Sequence, residues 1–128
     1  MILLDTHVMV WLASDPERLS PAARSLIERN AGALHVSVVS AWEIALLEKR
    51  GRLKLPMKAE DYVERVIDHH NLVELPLVRK VIHHAVRLPD LHSDPFDRIL
   101  VAECMERGLT MISRDTVLAR YPALRVVW

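Results

Sequence analysis

The sequence predicts an α/β fold in which helices cover a mostly parallel sheet of four to five strands. Short runs rich in Ile, Leu and Val alternate with longer segments of helical period, as they do in successive βαβ units. Helix-start and helix-stop residues bound the longer segments, for example Pro21 at one start and Gly108 after another end. The length of 128 residues, 51% of them hydrophobic, suits one domain with a sizeable core.

Each element can be assigned to a segment of the chain. Strands are predicted at 2–4, 34–38, 72–75, 109–113 and 124–127, the last of them at an edge of the sheet. Helices are predicted at 6–13, 21–30, 41–50, 59–69, 77–87 and 95–107, with a short one near 116–120. Ser40 and Glu43 spell the capping box S-x-x-E at the start of the third helix. No repeat or linker interrupts the pattern, so we expect a single domain over residues 1–128.

Composition limits the classes of function. Lys plus Arg and Asp plus Glu are equal at 17 each, so no overall field attracts nucleic acid or anionic membrane, and any polyanion site must be local. The single cysteine, Cys104, rules out an internal disulfide framework. No apolar run approaches the ~20 residues of a membrane-spanning helix, and Met1 precedes a strand-like run instead of a leader. We therefore expect a cytoplasmic protein.

Four carboxylates share a position in the predicted fold: Asp5, Glu43, Asp97 and Asp115. Asp5, Glu43 and Asp115 follow predicted strands. In a parallel sheet the helix starts that follow strands lie along one edge, and ligands bind there. We therefore expect these side chains to meet at the carboxyl ends of the strands.

Asp97 belongs to the same group because of its place on the helix predicted at 95–107. It lies on the approximate apolar stripe of that helix, which includes Leu100, and not on the face assigned to Glu103. It is therefore predicted to point inward.

Helix capping is the alternative explanation for each acid taken alone, since acids are common at helix starts. Taken together they favour a cation site. Four ionised carboxylates at one end of a sheet would repel by roughly 3 kcal/mol per pair at ~5 Å and a dielectric of ~20. A flexible, all-oxygen, highly charged site suits Mg²⁺ or Mn²⁺ and is a poor match for zinc.

Four sequence blocks resemble the PIN-domain ribonucleases of the VapC-like toxin type. The blocks are LLDTHVMVW at 3–11, SVVSAWEIALLEKRGRLKLP at 37–56, HSDPFDRILVAE at 92–103 and MISRD at 111–115. Each is moderately specific, and their order and spacing carry the resemblance from end to end. It implies a three-layer α/β/α sandwich and an endoribonuclease that uses metal-activated water. It also implies a cognate antitoxin as partner and a homodimer.

The resemblance also implies roles for individual residues. Asp5, Glu43, Asp97 and Asp115 would surround Mg²⁺ or Mn²⁺ and carry the catalysis, with Thr6 and Ser113 supporting the acids through hydroxyl hydrogen bonds. Asp94 has two interpretations, since it matches the family's DPFDR block and is also an ideal cap before Pro95. Capping is its default role and metal ligation the alternative.

Several basic residues are weaker candidates for contacts with the RNA backbone. Arg98 and Arg114 each adjoin a proposed ligand, although either could pair with a carboxylate instead. The run EKRGRLK adds Lys49, Arg50, Arg52 and Lys54. Lys49 and Arg50 could equally complement a helix C-terminus.

Other residues are given structural roles by default. His92 lies two residues before Asp94, and a loop or structural role is favoured over a direct part in chemistry. Trp11 and Trp42 occupy positions compatible with a helix core, so packing is favoured over base stacking.

Two other carboxylate-centred α/β folds do not fit the residues of this chain. A phosphatase of the haloacid dehalogenase type needs a second Asp where this chain has His7, and a response-regulator receiver needs an Asp that LVELP lacks. A non-catalytic PIN-like module that binds RNA or protein, and a housekeeping RNA-processing nuclease, remain as alternatives.

Overall fold

A five-stranded, fully parallel sheet forms the centre of the computed structural model, which describes all 128 residues. Its strand order is β3-β2-β1-β4-β5. The strands are β1 (Ile2–Leu4), β2 (Leu34–Ser37), β3 (Val73–Leu75), β4 (Thr110–Ile112) and β5 (Arg125–Val127). The predicted parallel sheet is confirmed, and β5 is an edge strand as expected.

Six α-helices connect and cover these strands. They are α1 (Thr6–Ser14), α2 (Pro21–Arg29), α3 (Val38–Lys49), α4 (Ala59–His69), α5 (Arg79–Arg87) and α6 (Pro95–Arg107). Short 3₁₀ helices follow α1 at Pro16–Arg18 and β4 at Thr116–Arg120. None of the helices has the length and apolar character needed to cross a bilayer.

The central strand β1 shows how the sheet separates two hydrophobic layers. Ile2 and Leu4 point into a core formed with α1 to α4, whereas Leu3 points into a second core formed with α5 and α6. This alternation follows from the two-residue repeat of a strand. The three-layer α/β/α sandwich is confirmed.

The order of the strands reverses at β1, and this reversal determines where a ligand-binding crevice can form. The chain runs from β1 outward to β2 and β3, and then returns to the other side of β1 as β4. The Asp5 N–H donates to the Ile112 carbonyl at 3.0 Å, which extends the β1–β4 ladder one residue past the end of β1. Such a switch point opens a crevice at the carboxyl ends of the strands, where ligands bind.

Helix α3 begins earlier than predicted. Its N-cap is Ser37, whose hydroxyl accepts from the Val39 N–H at 3.1 Å, and the helix starts at Val38. The predicted capping box of Ser40 and Glu43 is therefore wrong. Both serines are acceptable caps in sequence, and the choice follows from β2, which ends at Ser37 opposite Leu75 of β3.

Glu103 is buried, and the prediction that it lies on a polar face of α6 is wrong. Helix α6 packs against α5 and α3, so all five residues from Leu100 to Cys104 are buried. Glu103 is 0% exposed, and neither of its carboxylate oxygens has a hydrogen-bond partner. Burial raises its pKa to about 7, against the opposing effects of the Ser37 hydroxyl and the Arg107 guanidinium.

Replacing Glu103 by Gln should change how stability depends on pH. Because the folded-state pKa of about 7 exceeds the ordinary 4.5, the stability associated with Glu103 is fully present below pH 4.5 and is lost as the pH rises through about 7. Glu103→Gln should therefore raise the free energy of unfolding at pH 8 by about 1 to 2 kcal/mol and change it little near pH 5. Urea denaturation at both pH values measures this. The exposed Glu64 provides the control Glu64→Gln, and an equal effect of Glu103→Gln at both pH values would contradict the prediction.

Candidate functional site

An open cavity of about 330 Å³ lies at the carboxyl ends of β1 and β4. Three of the four predicted acids line it. The complete lining is Asp5, His7, Val8, Trp11, Asp97, Arg114 and Asp115. The switch point of the sheet and the predicted acidic site therefore coincide.

Asp5 is both a helix cap and a wall of this cavity. One carboxylate oxygen accepts from the Thr6 N–H at 2.7 Å, which caps α1. The other accepts from the Ser113 hydroxyl at 2.5 Å. Burial raises the pKa of Asp5, while the bond from Ser113 opposes that shift. Asp5 can therefore be a helix cap and a site residue at once, because the two roles involve different oxygens of the same carboxylate.

Asp115 is held in a similar way at the end of β4. Its Oδ1 accepts from the Val117 N–H at 2.9 Å, which caps the second 3₁₀ helix. Its own backbone N–H donates to the Ser113 hydroxyl oxygen at 3.1 Å. Ser113 therefore connects Asp5 and Asp115, and this is the hydroxyl support that the family resemblance implies.

Glu43 reaches the acids from within α3 and not from a helix start. It is the sixth residue of that helix, so the expectation that it directly follows a strand is wrong. Its side chain is nonetheless only 8% exposed. Burial raises the pKa of Glu43, the adjacent Thr6 hydroxyl lowers it, and the Asp5 charge raises it. The Thr6 hydroxyl also pairs with Ser40 at 2.9 Å, which ties α1 to α3 beside Glu43.

Asp97 is the carboxylate of this site that has no hydrogen-bond partner in the protein. It lies in the first turn of α6, half-buried, and no hydrogen bond reaches its carboxylate. Burial raises its pKa to about 7, and the charges of Asp94, Asp5 and Glu43 add to the shift. The inward orientation expected from the sequence agrees with its place on the cavity wall.

Asp94 is the N-cap of α6. It is exposed, and its Oδ1 accepts from the Phe96 N–H at 2.9 Å. The default capping interpretation is therefore confirmed. A role in metal binding stays a prediction.

The predicted basic residues differ in exposure: Arg98 is nearly buried, whereas the others are exposed. Arg98 donates to five backbone carbonyls, at distances from 2.8 to 3.4 Å, and its side chain is only 13% exposed. Its guanidinium is thus fully engaged, and the prediction that it contacts substrate is wrong. The carbonyls belong to Ala85, Val86, Leu88, Pro89 and His92. Arg114 is exposed and lines the acidic cavity, whereas Lys49, Arg50 and Arg52 are exposed near the far end of α3.

Two residues differ from their sequence-based assignments. Trp42 is 56% exposed and packs edge-to-face on Phe96, with ring centroids 4.8 Å apart, so the core prediction for it is wrong. Val38, one turn earlier in α3, is also exposed, and two apolar residues on one helix face give no sequence signal of exposure. His92 is not a solvated loop residue, because its side chain is 8% exposed and its Nε2 lies 2.6 Å from Asp115. No sequence signal predicts that contact.

The donor set fits a divalent cation. Ligand atoms of His92, Asp97 and Asp115 all lie within 4.8 Å of one another. The five salt bridges of the chain include none to Asp5, Glu43 or Asp97. Closely placed carboxylates without a cationic side-chain partner are stabilised when a cation binds among them.

Known proteins match this chain over nearly its full length. The profile of the family described as PIN domain matches residues 2–124. Ribonuclease VapC22 of Mycobacterium tuberculosis is 33% identical over an alignment 130 positions long, which covers 99% of this chain and 98% of that protein.

Solved structures show the same fold at low sequence identity. VapBC2 of Rickettsia felis, bound to a DNA fragment of its promoter, aligns with a TM-score of 0.73 and 15% identity, over 99% of this chain and 98% of the other. DNA-bound VapBC of Salmonella typhimurium aligns with a TM-score of 0.71 and 14% identity, over 98% and 96%.

Divalent cations should stabilise the folded protein through this cluster. A ligand that binds only the folded state at 100 times its dissociation constant adds about 2.7 kcal/mol to the free energy of unfolding. We expect Mg²⁺ or Mn²⁺ to raise the melting temperature, and Asp97→Asn to remove most of that rise. Asp68→Asn, at an exposed acid of α4, serves as the control. An undiminished rise in Asp97→Asn would exclude Asp97 as a ligand.

Proposed function

This chain belongs to the PIN-domain family, and from that premise we propose that it is a metal-dependent endoribonuclease that acts as the toxin of a toxin–antitoxin pair. The observation that carries the proposal is the gathering of Asp5, Asp97 and Asp115, with Glu43 beside them, at the switch point of the sheet. The full-length similarity to Ribonuclease VapC22 supports RNA as the substrate.

The cofactor proposed for this site is Mg²⁺ or Mn²⁺. Asp5, Glu43, Asp97 and Asp115 would hold it, since carboxylate oxygens are the ligands that these ions prefer. When bound, such an ion lowers the pKa of a coordinated water and neutralises charge on the phosphate oxygens.

The carboxylates differ in what each is free to do. Both oxygens of Asp5 and of Asp115 accept hydrogen bonds from the protein, so these two side chains are fixed in orientation. Asp97 has no such bond and can turn toward the cation or accept a proton from the attacking water. Two carboxylates held by hydrogen bonds and one without such bonds suit the hydrolysis of a phosphodiester.

Contacts with the RNA backbone are proposed for a reduced set of basic residues. Arg114 is supported because it is exposed at the rim of the acidic cavity. Lys49 is the last residue of the helix that carries Glu43, Arg50 and Arg52 follow it, and all three are exposed. Because the acidic cavity repels phosphate, such flanking cations would supply the attraction.

Protein partners are proposed from exposed apolar side chains on two helices. Val38 and Trp42 of α3 are exposed, and so are Ile82 and Val86 of α5. A cavity of about 470 Å³ adjoins the second pair, lined in part by Ala85, Pro95 and Ile99. Exposed apolar clusters typically mark protein interfaces, so these surfaces support an antitoxin and a second copy of the chain as partners. The VapBC structures with the same fold are consistent with this proposal.

Asp97→Asn should abolish cleavage without unfolding the protein. Asp97 makes no capping bond, and its amide isostere removes only the charge that the cation needs. We expect a loss of at least about 100-fold in Mn²⁺-dependent cleavage of a single-stranded RNA, with the melting temperature of the metal-free protein unchanged or higher.

Asp94→Asn is the matched comparison, because Asn caps a helix about as well as Asp does. If Asp94 is only a cap, this variant should retain cleavage within a few-fold. Cleavage that persists in Asp97→Asn would refute the proposed site.

Val86→Asp tests the apolar surface. Val86 is 75% exposed, so a charge there should leave the fold and the metal-dependent cleavage unchanged. We expect light scattering to give about twice the 14.7 kDa chain mass for the unaltered protein and a lower mass for the variant. A monomeric unaltered protein would contradict the proposed homodimer.

A further inference from the structure

We propose that His92 and Tyr121 are a pair of positioning residues that hold Asp115 in the orientation in which it binds the cation, an inference that rests on the metal site proposed above. Neither residue belongs to the set of four acids. Both lie outside the strands and helices that carry those acids.

The pair forms a continuous chain of hydrogen bonds that ends on a proposed metal ligand. The Tyr121 hydroxyl lies 2.8 Å from His92 Nδ1, and His92 Nε2 lies 2.6 Å from Asp115 Oδ2. The two rings are also nearly parallel, with centroids 5.6 Å apart and an interplanar angle of 6°. Tyr121 is 1% exposed and the His92 side chain 8%, so solvent scarcely competes for these bonds.

When the His92 ring is neutral, the two bonds are compatible with one tautomer only. An ionised carboxylate only accepts hydrogen bonds, so His92 Nε2 must carry the proton that it shares with Asp115. In a neutral ring Nδ1 is then an acceptor, and the Tyr121 hydroxyl is the donor that satisfies it. Tyr121 thereby selects the tautomer that can donate to Asp115.

The consequence for Asp115 is a fixed carboxylate. Val117 N–H binds Oδ1 at 2.9 Å while His92 binds Oδ2, so rotation of the carboxyl group breaks one bond or the other. His92 is itself anchored through its carbonyl, which accepts from Arg98 at 3.0 Å. Arg98 donates to five carbonyls in α5 and the α5–α6 connection, and it thereby fixes the backbone that positions His92 against Asp115.

Direct ligation of the cation by His92 is the competing arrangement. It needs an unprotonated Nε2, with the proton on Nδ1 and donated to the Tyr121 oxygen. The 2.6 Å separation of Nε2 and the Asp115 carboxylate favours a proton between them instead. The geometry therefore favours positioning over ligation.

The first test is the affinity for Mn²⁺ alone, measured by calorimetry in the full chain. Loss of such a supporting contact typically weakens metal binding by 10 to 100-fold. We expect His92→Phe to show a loss of about that size and Tyr121→Phe a smaller one. His92→Gln should restore most of the affinity, since its amide N–H can occupy the place of Nε2–H.

His84 provides a matched control within the same protein. Its Nδ1 lies 2.7 Å from Glu106, a histidine–carboxylate contact that does not involve the acidic cavity. His84→Phe should leave the Mn²⁺ affinity unchanged. If His92→Phe also binds Mn²⁺ with unchanged affinity, the positioning role is wrong while the metal site stands. If the unaltered protein binds no Mn²⁺, the proposed metal site itself fails, and the positioning role with it.

A second measurement needs no variant. Nitrogen NMR of the metal-free protein should show the proton of His92 on Nε2, and pulsed EPR of the Mn²⁺-loaded protein should show no directly bound nitrogen. A proton on Nδ1, or a strong nitrogen coupling to Mn²⁺, would overturn positioning in favour of ligation.

Discussion

The parallel pairing of β1 with β4 is the constraint on which the site depends. It brings Ser113 to Asp5 across 108 positions of sequence, and the hydroxyl of Ser113 then serves both Asp5 and Asp115. The pairing is stabilised from both sides, because Leu3 and Met111 enter one core and Leu4 and Ile112 enter the other. A sheet buried on both faces thus supplies the rigid frame that an acidic cavity needs.

The acids themselves oppose folding. Burial raises the pKa of Asp5, Glu43 and Asp97, which means that their ionised forms are less stable in place than in water. The hydroxyls of Ser113 and Thr6 offset part of this cost, and Asp97 has no such compensation. A cation bound among these carboxylates would reduce their mutual repulsion and so offset part of this cost.

Local sequence signals were sufficient for most of the fold. The apolar runs marked all five strands, and Gly108 closed α6 in the left-handed conformation that favours glycine. Asp5 and Asp115 were placed correctly because strand ends in a parallel sheet share one edge. These predictions used only neighbours in sequence and the general geometry of the fold.

The errors share a physical origin in contacts between distant segments. Glu103 was assigned to a polar face because an isolated helix would expose it, but α3 and α5 cover both sides of α6. Arg98 was expected to meet a phosphate, yet its donors fit the carbonyls around Leu88 and Pro89. His92 and Tyr121 lie 29 positions apart, and no periodicity connects them. Side-chain hydrogen bonds of this kind are decided by tertiary packing, which a single sequence does not display.

The four acids are also synthesised at different times, because they lie far apart along the chain. Asp5 and Glu43 leave the ribosome first, whereas Asp97, Ser113 and Asp115 come after the third strand of the sheet. A nascent polypeptide that stops short of β4 lacks one of the two partner strands of β1 and, of the four carboxylates, Asp115. The acidic cavity therefore cannot assemble before Asp115 has been synthesised, because Asp5 and Asp97 line it together with Asp115.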